Sequence, residues 1–247
     1  MKKKRTIAIT NDDGYTQGVK ILLEFAKGLG NAYAVVPDRQ RSAVSAAVTL
    51  HKPLRLLKRK GDIYTLSGTP ADCSVFVIYS KELPAPDVVF SGINWGDNTG
   101  MSPLISSGTI GACWKAAIHG TPAVAFSLYR KKRMGWEKKE SWGDPGKLKE
   151  AMGKVWKRIE PQLGKYDFFV VNMPALEKLE KAKILFGKRV QMKRTAPVIE
   201  KRMDPHGEPY FWLGGQGAKM EKGSDFYEVG VKGNIVITRI SLKKLVK

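Results

Sequence analysis

Thr6-Ile-Ala-Ile-Thr-Asn-Asp-Asp-Gly14, followed by Val19-Lys-Ile-Leu-Leu-Glu-Phe-Ala-Lys27, decides the fold. The first five residues read as a short buried strand. The second stretch places apolar residues at Val19, Leu22, Leu23 and Phe25-Ala26 and ends at Gly28, the pattern of a helix packed by one face. Between them lies a polar loop with two adjacent carboxylates, so the chain opens as β-loop-α. The same alternation continues downstream. Residues 32–36 form a second strand stopped by Pro37. Residues 48–57 suggest extended structure, with 63–66 pairing against them. A helix is expected over 70–79 behind its Pro start, a buried strand over 87–91, a helix over 109–119 and a strand over 123–128. An amphipathic helix over 147–159 and a strand over 167–172 complete a series that fits a doubly wound α/β sheet.

From about Lys183 the pattern changes to short apolar runs between Gly, Pro and Lys, which read as hairpins, and closes on a strand over 234–240. The expected organisation is therefore an α/β core over residues 1–182 and a C-terminal extension over 183–247, part of the same domain and the oligomer interface. Residues 130–146 look like a surface excursion that carries Trp136 and Trp142.

Composition narrows the function classes. With 43% hydrophobic and 27% charged residues the chain is an ordinary globular one. No apolar run reaches the ~20 residues of a membrane span. The basic start, Met1 to Arg5, is followed by an apolar stretch that stops at Asn11-Asp12-Asp13, too early for a signal peptide, so a cytoplasmic location is expected. Cys73 and Cys113 have no metal-ligand spacing and read as buried helix residues. The formal charge of +20 predicts an anionic partner, whether nucleic acid, an anionic membrane surface or a phosphorylated small molecule, although much of it is expected to be solvated surface lysine. The basic residues are scattered rather than gathered on one groove-lining helix, which makes nucleic acid the weaker candidate.

In open α/β sheets ligands bind beyond the carboxyl ends of the strands. Three such loops carry matching chemistry: Asn11-Asp12-Asp13-Gly14, Pro37-Asp-Arg-Gln-Arg-Ser42 and Gly92-Ile-Asn94-Trp-Gly-Asp97-Asn98. Carboxylates, a hydroxyl and amides without His or Cys suit Mg²⁺ or Mn²⁺. Taken alone, Asp12-Asp13 is equally an ordinary turn at a helix entry. Ser106-Ser107-Gly108-Thr109 offers hydroxyls and free N–H groups where an anion could sit, or a plain N-cap. His51 and His119 read as structural and capping residues, and His206, in Asp204-Pro-His-Gly207, as a turn. A P-loop of the Gly-x4-Gly-Lys-Ser/Thr type and a Gly-x-Gly-x-x-Gly after the first strand are both absent from the sequence, which counts against kinases and dehydrogenases.

Five blocks together resemble the SurE family of survival-protein nucleotidases: Thr10-Asn-Asp-Asp-Gly14, Pro37 to Ser42, Gly68-Thr-Pro-Ala-Asp-Cys73, Ser91 to Asn98 and Ser107-Gly-Thr109. Pro205 to Trp212 and Gly233-Asn-Ile-Val-Ile-Thr238 look like that family's later segments, the second without its usual tyrosine after glycine. The resemblance implies a Rossmann-like three-layer αβα sandwich with a C-terminal β-hairpin extension. It implies one divalent cation per subunit, Mg²⁺ or Mn²⁺, on Asp12, Asp13, Ser42 and Asn94, with Asp12 or Asp13 as the catalytic group. Asn98, Ser107, Gly108 and Thr109 match phosphate-proximal positions. The implied activity removes phosphate from nucleoside 5′- and 3′-monophosphates, in some members also from short polyphosphate, in a homodimer or tetramer. One departure is Asp97, which stands where many members have proline. The alternative is a basic nucleic-acid-binding protein whose acidic loop is only a turn.

Overall fold

The computed structural model describes residues 4–130 and 142–244. Its first strand, β1 (Thr6–Thr10), is followed by α1 (Gln17–Lys27) and β2 (Asn31–Pro37), which runs parallel to β1. The hairpin of β3 (Leu56–Lys60) and β4 (Ile63–Leu66) comes next, then α2 (Pro70–Tyr79). After these lie β5 (Val88–Trp95), the short α3 (Met101–Ser106), α4 (Gly108–Ile118) and β6 (Ala123–Leu128). Past the undescribed residues follow α5 (Pro145–Ile159) and β7 (Asp167–Met173). The C-terminal part holds β8 (Ile184–Phe186), β9 (Thr195–Met203), β10 (Pro209–Gly217), the single turn α6 (Asp225–Tyr227) and β11 (Ile235–Ser241).

Among the described residues nine strands form one sheet in the order β3-β4-β2-β1-β5-β6-β7-β11-β8. β1 lies between β2 and β5, both parallel to it, so the chain leaves β1 towards one edge and returns on its other side. That reversal is the switch point at which open α/β sheets bind ligands. The helices cover both faces, giving three layers. On one face α1 and α5 pack Leu22, Phe25, Leu148 and Trp156 against Ile7, Ile9, Phe90 and Phe126. On the other, α2 and α4 pack Cys73, Val77, Ile110 and Cys113 against Ala8, Val35 and Val89. Both thiols are free and buried, as their helical setting suggests.

Local signals explain the best-defined helix. Thr69 accepts from Asp72 N while Asp72 accepts from Thr69 N, a reciprocal cap that leaves Pro70 at the first position, where its missing N–H costs nothing. Elsewhere the structure departs from the sequence reading. Residues 48–55 are not a strand: His51 adopts a φ of 61° and Pro53 has no N–H to donate, so pairing begins only at Leu56. His51 is accordingly exposed. β5 runs on through Gly92 to Trp95, with a register shift against β6 between Ser91 and Asn94. Gly92, at φ 131°, occupies backbone space that disfavours any other residue.

The segment from residue 183 does two different things. β11 joins the main sheet antiparallel to β7, and β8 pairs with β11. β9 and β10 stand apart, as a two-stranded ribbon exposed along its whole length. His206 sits exposed in the turn of that ribbon, its N–H bonded to Asp204. His119 ends α4 and bonds Tyr79 at 3.1 Å. Trp136 lies outside the described residues, whereas Trp142 is buried, its ring 4.4 Å from that of Trp95. Among the described residues no helix is long and apolar enough to cross a membrane.

Candidate active site

A cavity of about 330 Å³ opens at the carboxyl ends of β1, β2 and β5. Asp12, Asp13, Ser42, Asn94, Asn98 and Ser107 line it, so six of the eight residues singled out in sequence meet in one place. The other two, Gly108 and Thr109, are buried behind it.

Asp12 is the most constrained member. It is 4% exposed, and its Oδ1 accepts the Thr109 hydroxyl at 2.5 Å. The backbone N–H groups of Gly108 and Thr109 also favour its charged form. The anion held at the N-terminus of α4 is thus the protein's own carboxylate, and the dipole there acts on Asp12. Gly108 permits the approach: an added Cβ would stand 2.8 Å from Asp12 Cβ and 2.9 Å from the Arg41 carbonyl oxygen. The loop after β2 is tied in from the other side, with Arg41 N donating to Asp12 O at 2.6 Å. Burial pushes the Asp12 carboxyl above its ordinary range, and the Thr109 hydrogen bond partly opposes that rise.

The neutral groups are also held by specific bonds. Gln40 Nε2 spans Ser42 Oγ at 3.1 Å and Asp13 Oδ1 at 3.4 Å. The Asn94 amide nitrogen donates to Gly96 O at 2.5 Å, which leaves its oxygen as the acceptor atom. Asn98 is anchored twice, its N–H on Asn172 and its amide nitrogen on Ser127 Oγ at 2.9 Å. Ser107 caps α4 by accepting from Ile110 N at 3.3 Å.

Two carboxylates with neutral hydroxyl and amide oxygens make a hard, all-oxygen donor set, which fits Mg²⁺ or Mn²⁺ better than zinc. Among the described residues no group of three or more His, Cys, Asp or Glu could hold a metal ion, so a cation here must draw on those neutral oxygens.

The sequence profile of the family described as Survival protein SurE matches residues 7–196. The chain belongs to the SurE family. It is 37% identical over 254 residues to a 5′-nucleotidase SurE of Hyperthermus butylicus, an alignment that covers 100% of this chain and 88% of that protein. A 5′-nucleotidase SurE of Neisseria gonorrhoeae is 35% identical, with 96% and 92% covered. The crystal structure of the SurE protein from Aquifex aeolicus superposes with a TM-score of 0.77 at 29% identity, over 96% of this chain and 93% of that one.

Against that SurE-family frame, sequence reasoning missed several residues at the site. Arg130 and Trp95 line the cavity, with the guanidinium 5.7 Å from the centre of the Trp95 ring. Arg130 sits at the edge of what reads as a surface excursion, and nothing local marks it. Asp97 is not an exposed carboxylate beside the phosphate loop: its side chain is 2% exposed and paired with Arg194 at 2.7 Å. Arg194 donates in addition to Asp97 O at 2.9 Å, so the departure from proline is matched by a cation from the root of β9.

Proposed function

We propose that this chain is a divalent-metal-dependent phosphomonoesterase of the cytoplasm that removes phosphate from nucleoside 5′- and 3′-monophosphates, with short polyphosphate as a further substrate class. The observation that carries the reading is the meeting of Asp12, Asp13, Ser42, Asn94, Asn98 and Ser107 around one cavity at the sheet's switch point. The 5′-nucleotidase relatives support the same reaction. Asp12, Asp13, Ser42 and Asn94 would hold one cation per subunit, Mg²⁺ or Mn²⁺. When bound, such an ion supplies Lewis-acid stabilisation of the phosphoryl oxygens and acidifies water.

The remaining work falls to the chain itself. Asp12 or Asp13 orients the attacking water and takes its proton. Thr109 and Gly108 oppose the rise that burial imposes on the Asp12 carboxyl and hold it aimed. Asn98, fixed by Asn172 and Ser127, retains a second amide N–H for a phosphate oxygen, and Ser107 adds a hydroxyl beside it. Donors held in place before the substrate arrives need no reorganisation as charge grows on phosphate. The exposed β9–β10 ribbon, with Ile199, Phe211, Trp212 and Leu213 uncovered, is the surface through which a homodimer or tetramer would form. Release of inorganic phosphate from AMP or GMP, dependent on Mn²⁺ or Mg²⁺ and abolished by EDTA, is the expected result. Absence of release under all metals would overturn the reading.

A further inference from the structure

The oxygens proposed to hold the cation come from the carboxyl ends of three strands, and each must be aimed by something else in the chain. Asp12 Oδ1 accepts the Thr109 hydroxyl, and Asn94 turns its amide nitrogen to Gly96 O. Asp13 and Ser42 belong to different loops, after β1 and after β2, and the side chain that reaches both is Gln40. We propose that Gln40 is a positioning residue for the cation: its amide N–H groups join the Asp13 and Ser42 oxygens before the ion arrives. The inference rests on the metal-dependent phosphomonoesterase reading above.

Hydrogen-bond chemistry is the first argument. Gln40 Nε2 lies 3.1 Å from Ser42 Oγ and 3.4 Å from Asp13 Oδ1. An ionised carboxylate can only accept, so the amide must turn its nitrogen to Asp13, and that nitrogen has two N–H groups to share. Ser42 Oγ then accepts with one lone pair and cannot donate back. Its own proton points elsewhere, and its second lone pair stays available to a cation. The shorter contact, to Ser42, is the stronger of the two.

Charge is the second argument. The loop after β2 carries three long side chains in a row, Arg39-Gln40-Arg41, and of these the neutral one lines the cavity. A cation in its place would compete with a metal ion for Asp13, and a carboxylate would have no proton to give. An amide is the group that can donate to both ligands and leave their charge for the ion. The backbone supports the same junction, because Arg41 N donates to Asp12 O at 2.6 Å and so fixes the loop beside β1. Partners of this kind, one bond removed from the ion, orient its ligands and tune its affinity.

The test is direct binding of Mn²⁺ to the metal-free protein without substrate, read as the electron paramagnetic resonance signal of the free ion. Gln40 is exposed, so its substitutions should leave the melting temperature of the metal-free protein unchanged. Gln40→Met keeps the length and removes both donors, and should weaken Mn²⁺ binding about tenfold or more. Gln40→Lys sets an ammonium against Asp13 and should weaken it further. With Mn²⁺ in excess, Gln40→Met should hydrolyse AMP within about twofold of wild type at an unchanged KM, since no contact to substrate is removed. Mn²⁺ affinity within about twofold of wild type in Gln40→Met would overturn the proposal. So would a loss of affinity matched by a fall of several degrees in the melting temperature of the metal-free variant, which would make Gln40 a structural residue. Wild-type protein that binds no Mn²⁺ would overturn the metal reading and this inference together, whereas wild-type binding that Gln40→Met leaves intact removes the inference alone.

Discussion

Arg194→Met deletes the cation that clamps Asp97 while keeping most of the side-chain bulk. The wild-type pair is short, 2.7 Å to Asp97 Oδ1 and 2.9 Å to Asp97 O, and the carboxylate is 2% exposed. Removing one partner of a fully buried pair costs about 3–5 kcal/mol, because the other charge stays desolvated. Arg194 is 26% exposed, so water already reaches one side of the pair and the expected loss is smaller, about 2–3 kcal/mol. Thr99 still donates its hydroxyl to Asp97, which also argues for the lower figure. Asp97→Asn on the same background should recover part of the loss, leaving a coupling energy above ~1 kcal/mol in the double-mutant cycle. Urea unfolding at one fixed protein concentration, without metal, measures both. Asn98 follows Asp97, so kcat should fall along with stability. A single-variant loss below ~0.5 kcal/mol, or strictly additive effects, would refute the claim that this clamp holds the loop.

Four further outcomes are expected. Asp12→Asn and Asp13→Asn should each abolish most activity, with added Mn²⁺ restoring only a variant that lost affinity, and turnover should invert configuration at phosphorus; retention, or a trapped phosphoaspartate, would replace direct water attack by a covalent route. Thr109→Val removes the bond that lowers the Asp12 carboxyl against the burial that raises it, a contact worth roughly 1.5–3 kcal/mol. A folded-state pKa raised further means stability is lost as pH rises through it, and the acid limb of the pH–rate profile should move to higher pH; an unmoved limb makes Thr109 a mere cap. If the +20 charge steers substrate, kcat/KM for nucleotides should fall with salt while kcat holds, whereas salt-sensitive RNA binding without hydrolysis would favour the nucleic-acid alternative. Light scattering should show a dimer or tetramer that β9–β10 ribbon variants such as Trp212→Lys disrupt; a stable active monomer would remove that assembly.

The elements most legible in the sequence are those whose signals are local. β1, α2 and β6 have the bounds that their apolar runs and the Thr69-Pro70 start imply, because burial periodicity and capping act over a few residues. The carboxylates, Ser42, Asn94, Asn98 and Ser107 were legible for a related reason. Asn94 lies in the last residues of β5 and the others follow a buried parallel strand or open a helix, and the sheet's topology brings such ends to one edge.

What depended on contacts distant in sequence was decided only in the tertiary structure. The extended reading of residues 48–57 gave way to a short strand, and β11 turned antiparallel into the main sheet, because pairing partners are chosen by packing rather than by propensity. Thr109 reads as an anion ligand from its place at a helix start, yet its hydroxyl lies on Asp12, 97 residues away in the chain. Asp97 reads as an added negative charge until Arg194, likewise 97 residues distant, closes on it in a buried setting. Charge and hydrogen-bonding capacity are properties of a residue and can be read along a chain. Burial and partnership are properties of the space it comes to occupy, and they set which of those capacities remain for a ligand.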